Sequence, residues 1–138
     1  MAIDKGCDMP KFSKRSEDKL YSCQGGLIDL FEVVVREFDC TILCGYRGEV
    51  EQQALFEQDY SQVQYPDSKH NFDPSMAVDA APWPIDWNDI GRFYYFAGHV
   101  KAFAYSMGLD LVYGGDWNDD TQVKDNKFND LVHFQLGR

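Results

Sequence analysis

No apolar run in the 138 residues approaches the roughly 20 needed to cross a bilayer as a helix. The first stretch, Met1 to Lys14, is polar and lacks the apolar core of a signal peptide. The expectation is a protein made and folded in a cytoplasm, with no membrane partner. Basic residues are scarce, 13 against 23 acidic, for a net charge of −10. A phosphate-backbone partner usually meets a basic face, so nucleic acid is excluded as an expected partner. Cysteine occurs four times, at Cys7, Cys23, Cys40 and Cys44. The spacing of Cys40 and Cys44 admits a metal pair, but no second pair at finger-like spacing accompanies them, so buried free thiols are expected. Internal repeats, low-complexity tracts and interdomain linkers are also missing. One domain over 1–138 is expected, with 1–14 as a loose arm.

What is present suffices for a core. Hydrophobic residues make up 44% and aromatics 15%, and folding at this length buries roughly two-thirds of the unfolded surface. Ser16 is placed to cap a first helix. Leu27, Leu30, Phe31, Val34, Val35 and Phe38 recur at helical spacing. Gly25-Gly26 ahead of them implies either one bent helix or a turn followed by a helix. Thr41 to Cys44 is expected as a buried strand, and Glu49 to Gln58 as a helix with Val50, Ala54 and Leu55 inward. From Tyr60 to Pro74 the composition is that of a loop.

Met76 to Ala80 alternates as a strand, with Val78 and Ala80 on one face and Ala77 and Asp79 on the other. Asp86 is the expected cap of a long helix from Trp87 to Met107, which Gly108 stops. His99 within it is expected as a surface or hydrogen-bonded core histidine. Leu109 to Tyr113 and Val132 to Leu136 complete the strands, the latter with His133 and Gln135 on one face and Phe134 on the other. Asp116 to Asp120 is acidic but lacks calcium-loop spacing, so it is expected as a solvated turn. Helices among short, hairpin-sized strands indicate an α+β fold, a small, largely antiparallel sheet with helices packed on it.

The chemistry concentrates in two distant segments. Ser68-Lys69-His70 and Asp79 lie in one, Asp130 and His133 in the other. Two imidazoles and a carboxylate can hold one zinc ion and leave a position open for water. A second carboxylate beside them is then free to move that water's proton.

These elements, with Gly45-Tyr46-Arg47, Ala80-Ala81-Pro82, Ile85-Asp86-Trp87, Gly114-Gly115-Asp116-Trp117 and Asp130 to Leu136, resemble the M15 zinc peptidases. The likeness spans about residues 16–136, and is strongest to phage L-alanyl-D-glutamate endopeptidases and their D-Ala-D-Ala carboxypeptidase relatives. It implies that His70, Asp79 and His133 bind one Zn²⁺. It implies further that Asp130 is the catalytic acid/base and that Arg47 contacts substrate or the developing oxyanion. Ser68 and Asp116 match recurrent neighbours of the active site, as substrate-binding or supporting residues. Two departures stand out. Eight residues, Asn71 to Val78, separate His70 from Asp79 where the family often has six, and Ser75 stands where a glycine is usual. The longer loop leaves Asp73 as a rival ligand, although strand alternation selects Asp79.

The implied activity is a zinc-dependent peptidase cleaving peptidoglycan stem peptides between L-Ala and D-Glu, as in a phage endolysin. A D-Ala-D-Ala carboxypeptidase is the first alternative, and a metal- or wall-binding module without catalysis the second. The implied life history is a monomer held in the bacterial host's cytoplasm before release to the wall. With its acidic balance, attraction to an anionic wall is not expected, so binding must rest on local contacts. Trp83, Trp87 and Trp117 are expected mainly as core residues, with the cleft wall as the other reading.

Overall fold

The computed structural model describes residues 9–124 and 128–137. Along the chain run α1 (Lys14–Leu20), α2 (Gly25–Glu37), β1 (Cys40–Cys44), α3 (Glu49–Glu57), a 3₁₀ turn (Lys69–Asn71), β2 (Ala77–Pro82), α4 (Ile90–Ser106), β3 (Leu111–Tyr113) and β4 (His133–Leu136). The four strands form one antiparallel sheet in the order β1-β2-β4-β3. The α+β expectation therefore holds. Cys7, within the first residues, lies outside the described range.

The apolar stripes of α2 and α4 cover one face of this sheet. Leu27, Leu30, Phe31, Val34 and Val35 of α2, with Phe96, Ala97, Val100 and Ala104 of α4, join Ile42, Val78, Ala80, Leu111 and Phe134 in a single core. Phe134 is fully buried, edge-on to Phe31 and stacked on Tyr113. Because side chains alternate along a strand, seating Val78 and Phe134 in the core forces Asp79 and His133 onto the opposite face. The register makes Asp79 and His133 direct partners across β2 and β4.

Several local expectations are corrected. Ser13, not Ser16, caps α1, its Oγ accepting from the Ser16 amide at 3.2 Å. The Ser16 hydroxyl is instead taken up by β1, accepting from the Ile42 amide at 3.1 Å. Phe12 is buried, so the end of the supposed loose arm packs on the body. Gly25-Gly26 opens α2 after a turn. Asp89 caps α4 by accepting from the Arg92 amide, and Asp86 closes only the preceding turn. Trp83 and Trp87 are exposed, not core; Trp87 lies stacked on Phe93. His99 is half-buried, bonded to the Tyr95 carbonyl and edge-on to Phe38, as expected.

The largest miss concerns α3. Val50 is 86% exposed, Ala54 is exposed, and the one buried residue is Gln52. This helix rests on a polar network and not on the core.

Candidate active site

The polar face of the sheet opens into a cleft of about 550 Å³, lined by Arg47, Leu55, the 60–63 segment, Asp67 to His70, Asp79, Trp117, Phe128, Asp130, His133 and Gln135. Each chemical group is placed by a local device. His70 sits in the 3₁₀ turn that Ser68 caps, its backbone amide donating to Ser68 Oγ at 3.2 Å. Ser68 thus fixes the backbone of His70. The ring is fixed elsewhere: Nδ1 donates to the Gly45 carbonyl at 2.7 Å. Gly45 must be glycine, since a Cβ there would run into the Lys19 carbonyl and the Ser22 hydroxyl. The extra length before Asp79 is tied down by Ser75, fully buried, which donates to the Ala77 carbonyl at 2.6 Å.

Gly114 has a comparable role for Asp130. A Cβ at Gly114 would overlap the Asp130 carbonyl oxygen. The bare backbone lets the Asp130 amide donate to the Gly114 carbonyl at 2.9 Å, and the Gly114 amide to the His133 carbonyl at 2.8 Å. Asp116 lies behind the cleft, its carboxylate accepting from the Asp120 and Thr121 amides and so closing the turn. Its neighbour Trp117 reaches the cleft, tilted against His133 with ring centres 5.3 Å apart.

At the centre, Asp79 Oδ1 lies 3.1 Å from His70 Nε2 and 3.3 Å from His133 Nδ1. The two imidazole centres are 5.1 Å apart. Asp130 Oδ2 stands 4.0 Å from His133 Nδ1 and remains one-third exposed. Asp73 is exposed and outside the cluster, so the structure brings Asp79 and not Asp73 to the histidines. Arg47 spans the edge: Nη1 donates to Gln52 Oε1 at 3.0 Å, and Nη2 lies 3.5 Å from Cys44 Sγ and 3.6 Å from Asp79 Oδ2. Its Nε is buried with no hydrogen-bond partner among the described residues.

The tautomers follow from these contacts. The outer nitrogen of each ring meets an acceptor, His70 Nδ1 at the Gly45 carbonyl and His133 Nε2 at Gln135 Oε1, 2.8 Å away. The Gln135 amide is oriented by donating its Nε2 to the Gly137 carbonyl. A neutral imidazole that donates outward keeps its lone pair on the inner nitrogen. Two such lone pairs then face one carboxylate oxygen, a contact that repels unless a cation lies among them. Donors within 4.8 Å of one another form two groups, Asp79 with Asp130 and His133, and Asp79 with Cys44 and His70; each holds one imidazole, and Asp79 is common to both.

A proton can supply part of that charge. Burial alone would lower the His70 pKa, but the Asp79 charge beside it more than offsets this and pushes it up to about 10. Burial would raise that of Asp79, yet the two histidines hold it well below the carboxylate range. In chelator-treated protein the pair's stabilisation is expected to be complete below the ordinary histidine value of about 6.5. It should fade as pH rises toward about 10, and be lost also on acidification below the usual carboxylate range, where Asp79 takes up a proton. A metal bound at His70 would have to displace that proton, so binding calorimetry in buffers of different ionisation heat should then show proton release.

Cys44 was expected as a buried thiol like Cys40. Strict alternation would point Cys40, Ile42 and Cys44 to one face. A bulge between Ile42 and Cys44 places Cys44 opposite Asp79 instead, and such a bulge re-aims a side chain.

Residues 9–136 match the family described as phage L-alanyl-D-glutamate peptidase. The chain belongs to that family. It is thus a peptidase of a phage type, as its motifs implied. It is 28% identical over 113 residues to the L-alanyl-D-glutamate peptidase of Escherichia phage T5, covering 78% of this chain and 82% of that protein. The crystal structure of the Serratia marcescens L-Ala D-Glu endopeptidase ChiX superposes with a TM-score of 0.75 at 22% identity, over 98% of this chain and 96% of that one. That likeness shows a shared fold. Among the described residues no helix is long and apolar enough to cross a membrane.

Proposed function

We propose that this peptidase cleaves the L-alanyl–D-glutamate bond of peptidoglycan stem peptides with one zinc ion held by His70, Asp79 and His133. The observation carrying the reading is the pair of outward-donating imidazoles, which turns the inner nitrogens of both rings toward Asp79 Oδ1, 3.1 and 3.3 Å away. Two nitrogens and an oxygen suit zinc, and outer partners on both rings are the arrangement expected behind metal-bound histidines. Zinc bound there would supply Lewis acidity, bringing the pKa of a water to about 7 and polarising a carbonyl.

The protein's own groups supply the rest. Asp130 takes the proton of the attacking water and returns it to the leaving amine. Burial and the negative Asp79 both raise its pKa, the direction that suits a group passing a proton near neutral pH. Arg47, which lines the cleft beside Asp79, faces the charge that develops on the carbonyl oxygen. Trp117 and Phe128, stacked with ring centres 6.3 Å apart, wall one side of the cleft.

The test is digestion of purified peptidoglycan followed by mass analysis of the fragments. New amino groups are expected to appear on D-glutamate, and chelation is expected to stop their release. Release of free D-alanine alone would make the protein a carboxypeptidase. Binding to the wall with no new amino groups would make it a non-catalytic module.

A further inference from the structure

We propose that Gln52 is a positioning residue for the reaction, holding the Arg47 guanidinium and the 61–63 wall of the cleft in one fixed arrangement. The proposal rests on the reading of Arg47 as a group that meets the reacting carbonyl.

Gln52 is fully buried on a helix that gives no other residue to the interior. Burying an amide is costly unless its polar atoms are bonded. An amide offers two acceptor sites and two donors, and here all four are used. Oε1 accepts from Arg47 Nη1 at 3.0 Å and from Asn71 Nδ2 at 3.3 Å. Nε2 donates to Ser61 Oγ at 2.9 Å and to the Val63 carbonyl at 2.8 Å. The partners come from three separate pieces of the site: the turn after β1, the residue after His70, and the segment lining the far side of the cleft.

A leucine would fill nearly the same volume. It would give the guanidinium no acceptor and the wall no donor. Arg47 would then keep a weak sulfur acceptor, Cys44 Sγ at 3.5 Å, and a long ion pair to Asp79 Oδ2 at 3.6 Å. Gln52 is thus the group that sets where the guanidinium points. It also couples that orientation to the wall against which substrate must lie.

The experiment compares kcat and KM of the zinc-loaded full chain on a soluble stem peptide containing an L-Ala–D-Glu bond. The variants are Gln52→Leu, Gln52→Glu, Arg47→Ala and the Arg47→Ala/Gln52→Leu double. Gln52→Leu is expected to lower kcat about tenfold, less than the roughly 10²–10³ for losing an oxyanion donor outright. Once Arg47 is gone, the same change is expected to cost less than about twofold more, because the two act as one unit. Gln52→Glu keeps the acceptor for Arg47 and loses the N–H donors to Ser61 Oγ and the Val63 carbonyl, so KM is expected to rise with kcat nearly unchanged.

Losses that multiply in the double variant would overturn the proposal. So would a fully active Gln52→Leu beside an impaired Arg47→Ala. A fully active Arg47→Ala would overturn the reading of Arg47 itself and the proposal with it. If circular dichroism shows Gln52→Leu unfolded, Gln52→Glu decides: raised KM at constant kcat supports the positioning role, and a kcat loss at constant KM removes it.

Discussion

His133→Ala is expected to remove both zinc and turnover, and the loss of zinc affinity should exceed about 100-fold. The bound follows from a comparison within the same site. Gln135 stands behind His133, accepting from Nε2 at 2.8 Å. Removing a partner of that kind typically lowers metal affinity by about 10–100-fold, because the ring loses its fixed tautomer but keeps its lone pair. Removing the ring takes the lone pair as well. Gln135→Leu and His133→Ala should therefore form a graded pair in a competition assay against a chelator of known affinity. Added zinc should restore turnover to the first variant and not to the second. Phe134, the residue beside His133, keeps the strand in register from the opposite face. The metal loss should consequently come without unfolding. Zinc retained at wild-type affinity by His133→Ala would remove His133 from the ligand set and end this account of the site.

The placement of Asp79 and His133 was readable in the sequence because strand alternation leaves few choices. Val78 and Phe134 are apolar and must face the core, so Asp79 and His133 must face away. Pairing across β2 and β4 then brings them together without any information on loop paths. Groups set by loops and local exceptions were less legible. The bulge in β1 has no composition signal, and without it Cys44 would point into the core. Gln52 carries no periodic signal, since a buried amide is recognised only through its partners, and two of these lie in the 61–63 segment. The helix that bears it was expected to pack through Val50, yet a nine-residue helix with mixed composition has no apolar face strong enough to dictate its seating. The caps failed for a related reason. Ser13 and Ser16 are both suitable by type, and the choice fell to the Ile42 amide, which needs an acceptor and finds Ser16 Oγ.

Asp130→Asn is expected to leave zinc bound and lower kcat by roughly 10²–10⁴-fold, the usual contribution of a positioned acid/base. Asparagine keeps the size of the carboxylate and one acceptor oxygen but cannot take up a proton, which separates the chemistry from the shape. The rival reading has a definite structural basis: Asp130, Asp79 and His133 present donor atoms within 4.8 Å of one another, so Asp130 could serve as a ligand. Two observations favour the acid/base role. Its carboxylate is 4.0 Å from His133 Nδ1 while Asp79 is 3.3 Å from the same atom, and it stays more open to solvent than the other three groups. A ligand is better served by the closer, more enclosed carboxylate, and a proton carrier by the one that water can reach. Metal content decides between them. Equal zinc in Asp130→Asn and wild type with turnover nearly gone assigns proton transfer to Asp130. Zinc lost in step with turnover would place Asp130 among the ligands and leave the proton to another group.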